Sequence, residues 1–369
     1  MYKINLNDYK SSMKYFNFFD VQIKKLDINK EDFLKDNNIS PSTYRKCRNF
    51  YQKGGSTIIK KLCEIFNVKY VDETFIIDLE NKINKIYHKI YYKIRNSFDE
   101  DLDYLNNLLK ENNIMKPIVQ LIKLELLANF PIDINKFIRE NENIYNEIKK
   151  YSQFLNEDLL EILDNLSFVF EKDIPEKALM KNYKNSLVYF SLASRLCNEE
   201  RYAESIFMAK KAETILIEEK NYKRLLHLNT KIMHCLNLLE NYKECFELCE
   251  MQLLTIDCFT DVDYEYQYTI QNLVISALAL KKYKYVEDIL LNKEKIYINE
   301  CFCLLVAEYK LNKKNYKEYF KYYYENSKDE MKELLKILDN YLKSGNKKVL
   351  MKLENTKILK KTLKVLKIA

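Results

Sequence analysis

The sequence predicts an all-α chain, with a short helix-turn-helix unit at the N-terminus followed by a right-handed superhelix of paired helices. Three observations predict it. Glycine occurs three times and proline four in 369 residues, where average usage would supply about 26 and 18, so tight turns are scarce and long helices are favoured. Apolar residues recur at intervals of three and four along much of the chain, which is the spacing of one helix face. Beyond residue 180 a tyrosine-centred pattern returns four times. The chain is longer than one average domain, and its patterns divide it into residues 1–72 and 73–369.

The charge is concentrated at one end. Residues 1–70 hold 14 Lys or Arg against seven acids, the whole net charge of +7, and the remaining 299 residues balance at 47 of each sign. Between positions 41 and 63, Arg45, Lys46, Arg48, Lys53, Lys60 and Lys61 occur with no acid before Glu64. Such a concentration favours a polyanion.

The local grammar of this basic segment is that of two helices and a tight turn. Asn29 is placed to cap a helix over residues 30–37 that buries Phe33 and Leu34. Asn38 tolerates a left-handed conformation, so the chain turns there, with Ile39 buried beneath. Ser40 and Pro41 start a second helix running to about Phe50, a hydroxyl cap followed by a ring with its φ already set. Tyr44 and Cys47 share its inner side. Ser42, Thr43, Arg45, Lys46 and Arg48 face elsewhere, on a surface that suits a major groove. From Lys30 to Val68 the sequence resembles the phage-repressor (Xre/Cro-type) helix-turn-helix, through Asn38-Ile39-Ser40-Pro41-Ser42-Thr43-Tyr44-Arg45-Lys46-Cys47 and the following Lys60-Lys61-Leu62-Cys63-Glu64-Ile65-Phe66-Asn67-Val68. The resemblance implies base contacts from Pro41, Ser42, Thr43, Arg45 and Lys46. Arg48 shares their face, and Lys53, Lys60 and Lys61 are placed for phosphates.

Ile83, Ile86, Tyr87, Ile90, Tyr91 and Ile94 line one side of an amphipathic helix over residues 79–94, which connects the head to a body, pairs with its copy in a second subunit, or opens the body. Pro117 and Pro131 delimit another helix, Ile118 to Asn129. Further on, Tyr202, Tyr242, Tyr283 and Tyr316 each follow a short polar turn, 40, 41 and 33 residues apart. Paired helices with an aromatic at the turn and this period resemble tetratricopeptide repeats. The longer spacings resemble the lengthened repeats of Gram-positive peptide receptors. A final unit around Ser344–Lys348 and a basic helix close the array.

Stacked repeats of this kind present a surface for extended peptides. The tyrosine register directs Tyr189, Asn229, Gln267, Lys281 and Lys310 toward it, with Arg195 and Asn272 nearer the core. An amide side chain both donates and accepts, so Asn and Gln grip a peptide backbone whatever its sequence.

Several chemistries are excluded. With glycine only at positions 54, 55 and 345, neither a dinucleotide fingerprint nor a phosphate-binding loop can be built. The nine cysteines lack paired framework spacing and a Cys-x-x-Cys knuckle; they fall on apolar repeat faces, where a free thiol behaves as a small hydrophobe. No metal, cofactor or catalytic constellation is expected, and the chain does not read as an enzyme. It opens Met1-Tyr2-Lys3-Ile4-Asn5 without an apolar stretch or cleavage signal, and its mean hydropathy is −0.42. These features predict a cytoplasmic location with reduced thiols and no membrane association.

Repressor-type head and lengthened repeat body together resemble the RRNPP family, cytosolic receptors of Gram-positive bacteria and their phages for short signalling peptides. The resemblance implies a homodimer whose heads read the two half-sites of a double-stranded DNA operator while peptide binding to the repeats changes DNA binding. The alternatives are a protein-interaction module in which the basic head merely caps the stack, and a branch of the family that restrains a response-regulator phosphatase instead of DNA.

Overall fold

A computed structural model describes residues 3–10, 13–49, 55–94, 98–129, 134–293, 295–311, 313–353 and 359–368. They are helical throughout, with one isolated parallel bridge between Lys69 and Asn113 and no strand among the described residues. After a single 3-10 turn, Asn7–Tyr9, the N-terminal helices are α1 (Met13–Lys25), α2 (Lys30–Asp36), α3 (Pro41–Asn49), α4 (Gly55–Ile65) and α5 (Glu73–Tyr91). There follow α6 (Phe98–Lys110), α7 (Lys116–Asn129), α8 (Ile134–Lys149), α9 (Glu157–Phe170), the short α10 (Glu176–Met180), α11 (Ser186–Asn198), α12 (Tyr202–Glu218) and α13 (Tyr222–Leu238). The chain ends with α14 (Tyr242–Ile256), α15 (Asp263–Ala279), α16 (Tyr283–Leu291), α17 (Ile298–Leu311), α18 (Lys313–Glu325), α19 (Asp329–Ser344), a 3-10 segment Lys347–Leu353, and α20 (Lys360–Ile368).

Two compact units result, one of Met1–Arg195 with Thr214–Arg224 and one of Leu196–Glu213 with Leu225–Ala369. In the first, α1 packs on α2, α3 and α4, and α7 packs against α5, α6, α8 and α9. The first 72 residues share this unit with the helices that follow them. In the second, α15 lies against α14, α16, α17 and α20, and α17 against α16, α18 and α19.

Two boundaries differ from the sequence expectation. Helix α5 starts at Glu73, not near residue 79, because the Asp72 carboxylate accepts from the Phe75 amide at 2.8 Å and caps the helix earlier. Helix α7 begins at Lys116 and takes Pro117 into its first turn, where a missing N–H costs nothing.

A protein this poor in glycine must end its helices with other residues. Asn38, Asn67, Lys93, Glu200, Lys220, Glu240 and Lys281 all have φ between +49° and +64°. In each case the next amide donates back five residues, as in Ile39 to Leu34 (2.7 Å), Val68 to Cys63 (2.8 Å), Arg201 to Leu196 (2.9 Å) and Asn241 to Leu236 (2.9 Å). This is the Schellman closure, normally given to glycine at the left-handed position; a side chain there costs about 1 kcal/mol. Before Tyr202, Tyr222, Tyr242 and Tyr283 the left-handed residue stands two positions upstream, so these polar turns share one backbone geometry.

Candidate functional site

Helices α2 and α3 meet through four residues. The Asn29 side chain accepts from the Glu31 amide at 2.8 Å and starts α2; Asn38 turns the chain at φ 52°, and Ile39 is buried. Ser40 Oγ accepts from the Thr43 amide at 3.4 Å, ahead of Pro41 in the first position of α3. Tyr44 and Cys47 anchor the inner side of α3. The Tyr44 ring stands edge-on to Phe16 at 4.9 Å, and its hydroxyl donates to Asp20 Oδ1 at 2.7 Å. Asp20 also pairs with Arg48 at 3.0 Å and with Lys30. One carboxylate thus ties α1, α2 and α3 together. Burial, and then the charge of Asp20, push the Tyr44 phenol far above its ordinary value, so it stays a donor.

The outer side of α3 presents Ser42, Thr43, Arg45, Lys46 and Asn49. Arg45 is paired at 3.2 Å with Glu31, but the two side chains are 69% and 56% exposed, and such a surface pair contributes little. Pro41 is half-buried in a small cleft of about 110 Å³ with Lys30, Glu31, Leu34, Tyr44, Arg45 and Arg48. Arg48 is largely taken up by Asp20. Lys60 is exposed, its Nζ 5.8 Å from the centre of the Tyr70 ring. Lys61 donates to the Asn38 carbonyl at 3.3 Å, closing the end of α2. Lys53 lies outside the described residues.

The face is held by an extensive seat within the first unit. The Ile4 and Leu6 amides donate to Asn84 (2.8 Å) and Glu80 (2.7 Å) on α5. The Tyr9 hydroxyl donates to the Phe154 carbonyl at 2.8 Å and accepts from the Asn156 amide at 3.1 Å. Lys14, Asn17 and Gln22 reach the segment from Tyr151 to Leu155 at 2.8 to 3.0 Å, and Lys25 pairs with Glu147. Several of these bonds are side chain to backbone and fix α1 in one orientation.

The residues expected on the peptide surface divide into two groups. Tyr189 is buried and its hydroxyl accepts from the Tyr183 amide at 2.9 Å. Asn272 is fully buried; its Oδ1 receives Lys361 Nζ at 2.8 Å and Asn237 Nδ2 at 3.1 Å. Lys281 does not sit on a helix face but in the left-handed turn after α15. Arg195, in the first unit, is half-buried and donates to the Lys172 carbonyl. Asn229 is half-buried on α13, with an enclosed Oδ1 that has no donor among the described residues. Gln267 is half-buried and donates to Glu300 at 2.7 Å. Lys310 is exposed near the end of α17.

Gln267 belongs to a site that sequence reasoning missed. A cavity of about 330 Å³ in the second unit is lined by Asp263, Tyr264, Gln267, Tyr268, Gln271 and Tyr297. Tyr264 and Tyr268 are 4.3 Å apart, and the His227 ring stacks on Tyr264 at 5.2 Å. Two of the lining residues, Gln267 and Tyr297, are held by the fully buried Glu300, which accepts from Gln267, from Lys293 at 2.6 Å and from the Tyr297 amide at 2.9 Å. The signal was Tyr264 and Tyr268, four residues apart and so on one face of the helix, with Gln267 and Gln271 beside them. The cavity can take an aromatic, aliphatic or cationic side chain between tyrosine walls.

Among the described residues no helix is long and apolar enough to cross a membrane. No family model, curated protein or solved structure matches the chain.

Proposed function

We propose that this chain is a DNA-binding transcriptional regulator whose repeat-bearing unit takes a short peptide. The observation that carries the reading is the outer face of α3: Ser42, Thr43, Arg45, Lys46 and Asn49 are exposed together on a helix whose inner side is fixed by Tyr44 and Cys47. Under this reading α2 and α3 are a helix-turn-helix of the repressor type, with α3 entering the major groove. Thr43, Arg45 and Lys46 reach base edges and Lys60 reaches a phosphate. The helix pairs from α11 onward then form a right-handed tetratricopeptide-like superhelix. Two copies engage two half-sites, in the cytoplasm, as the resemblance to the RRNPP family implies.

Two features support a peptide as the second ligand. Asn229 is half-buried on α13 and carries an amide that both donates and accepts, as a peptide backbone requires. The tyrosine-walled cavity offers room for one side chain beside the amides of Gln267 and Gln271. Peptide binding alters DNA affinity to the extent that it favours one conformation of the repeats.

Gel-shift or filter binding on the DNA flanking the gene tests the first half. Arg45→Ala with Lys46→Ala abolishes sequence-selective retention and lowers the salt slope by about one per lost phosphate contact; unchanged retention refutes the assignment of α3. Calorimetry with short peptides encoded beside the gene tests the second. Asn229→Ala weakens binding by about 1 to 3 kcal/mol, and unaltered affinity removes Asn229 from the site.

A second reading, an interaction module with a helical cap that does not bind DNA, is favoured by one observation. The seat from Ile4 to Lys25 is more extensive than a head free to reorient requires, and Arg48 is held by Asp20. Wild-type protein that fails to discriminate between DNA sequences at any salt concentration selects this reading.

A further inference from the structure

The last helix of the chain is seated on helices far upstream in the sequence. Within the second unit α20 packs on α15 and α17, and its side chains bond partners 63 to 160 residues away. Lys361 Nζ donates to Asn272 Oδ1 on α15 at 2.8 Å, and Thr362 Oγ1 donates to Asn299 Oδ1 on α17 at 2.7 Å, both pairs buried. Asn237 on α13 extends this row of amides: its Nδ2 is 3.1 Å from Asn272 Oδ1, and its own Oδ1 is enclosed with no donor among the described residues. Leu363, Val365 and Leu366 of α20 are buried as well. The sequence predicts a basic helix that closes the array, and closure needs only the adjacent hairpin; α20 instead reaches back across the second unit.

The rim of this seat matches α20 in charge and in spacing. Lys360 pairs with Glu200 at 2.5 Å and Lys364 with Glu240 at 3.5 Å, and Lys364 also donates to the Leu238 carbonyl at 2.6 Å. The two lysines stand four residues apart, on one side of the helix. The two acids hold corresponding positions, two residues before Tyr202 and Tyr242. Both are left-handed at φ 64°, where glycine is the less strained choice. A carboxylate at each of these two turns gives a basic helix two anchors.

We propose that this seat is a recognition site for a lysine-bearing amphipathic helix, filled here by α20 as a tethered ligand, and that a free peptide of the same chemistry binds by displacing it. Such a peptide brings an ammonium to Asn272, a hydroxyl to Asn299, aliphatic side chains to the buried side, and two further ammonium groups to Glu200 and Glu240. The seat is polar where a permanent core is apolar. Lys361 is buried with no carboxylate partner among the described residues, and a desolvated ammonium held by an amide weakens the grip on its helix. Burial brings that ammonium down to about 8. At nine residues α20 is too short to stay helical alone in water, so displacement exchanges one seated helix for another. The proposal deepens the peptide reading above and rests on it for the natural source of the peptide; the tyrosine-walled cavity is a separate place.

The probe is a fluorescein-labelled synthetic peptide with the sequence of residues 359–369, added to the full chain. Lys360→Glu with Lys364→Glu in the chain sets like charges against Glu200 and Glu240 and loosens the internal competitor, so the probe should bind this variant about tenfold more tightly than wild type. A probe carrying Lys361→Ala with Thr362→Ala, and a scrambled probe of the same composition, should each bind about tenfold more weakly or worse. Unsubstituted protein needs no variant to fold: excess probe should raise amide hydrogen exchange at residues 360–368 of the chain while α13, α15 and α17 stay protected. Equal binding of the scrambled probe overturns the proposal. So does an unchanged affinity in the charge-reversed chain when its circular dichroism is that of wild type, or exchange in α20 that rises only together with α15 and α17. A peptide encoded beside the gene that binds through Asn229 yet leaves α20 protected overturns this proposal and keeps the peptide reading. Displacement of α20 by the probe, with no encoded peptide bound, supports the recognition site and removes that reading.

Discussion

Replacing Glu125 with glutamine should stabilise the first unit, and the gain should grow with pH. Glu125 is fully buried on α7; its Oε1 accepts from Asn165 at 2.7 Å and from Asn129 at 3.1 Å. Two enclosed acceptors there, Glu125 Oε2 and Asn165 Oδ1, have no donor among the described residues. Burial pushes the carboxyl up from 4.5 to about 7, against the hydrogen bonds of Asn165 and Asn129 and the charge of Arg224. The folded value lies above the unfolded one, so the unfolded chain loses its proton first as pH rises. Stability is full below pH 4.5, falls between 4.5 and about 7, and stays reduced above that. The penalty approaches about 3 kcal/mol at pH 8 and is about 1 kcal/mol at pH 5. Glutamine carries no titrating charge, turns one orphan acceptor into a donor and leaves Asn165 Oδ1 as the single orphan acceptor of the pair. Urea unfolding of wild type and Glu125→Gln at both pH values should therefore show a gain larger by about 2 kcal/mol at pH 8 than at pH 5. A gain independent of pH, or a loss at pH 8, would refute the claim that this carboxyl is held protonated by burial.

Two further perturbations address the α3 face and the turn geometry. Glu31→Gln releases Arg45 and removes an acid from beside the exposed face, so retention of DNA should rise several-fold at low salt, with the gain shrinking as salt is added; weaker retention would mean that the pair presents Arg45 to DNA. Glu240→Gly relieves the left-handed turn before α14 and should raise stability by about 1 kcal/mol in chemical unfolding, and a destabilised variant would show that the Glu240 side chain contributes more than its strain costs.

The parts of this protein that were legible in the sequence are those encoded within a few neighbouring residues. Asn29, Asn38 and Ser40-Pro41 act through their own or adjacent backbone groups, so the ends of α2 and α3 follow from side-chain chemistry alone. The tyrosine-centred turns were equally plain, although the left-handed residue two positions before Tyr202, Tyr242 and Tyr283 was not, because Glu and Lys are unusual there and only the scarcity of glycine forces them into it. The repeat register misjudged Tyr189 and Lys281. A helical residue is buried or exposed according to which neighbours pack on it, and periodicity leaves that open by one position in either direction.

Long-range convergence left no trace in the linear pattern. Asn272 and Lys361 come from α15 and α20, and each looks like an ordinary core or surface residue in its own segment. Glu125 and Asn165 have the same character, as do Gln267 and Glu300. Capping and amphipathicity are local energies that a run of amino acids carries with it into any context. Which amide meets which ammonium depends on how whole helices cross and stack, a sum over many weak contacts that becomes definite only when the chain is closed up.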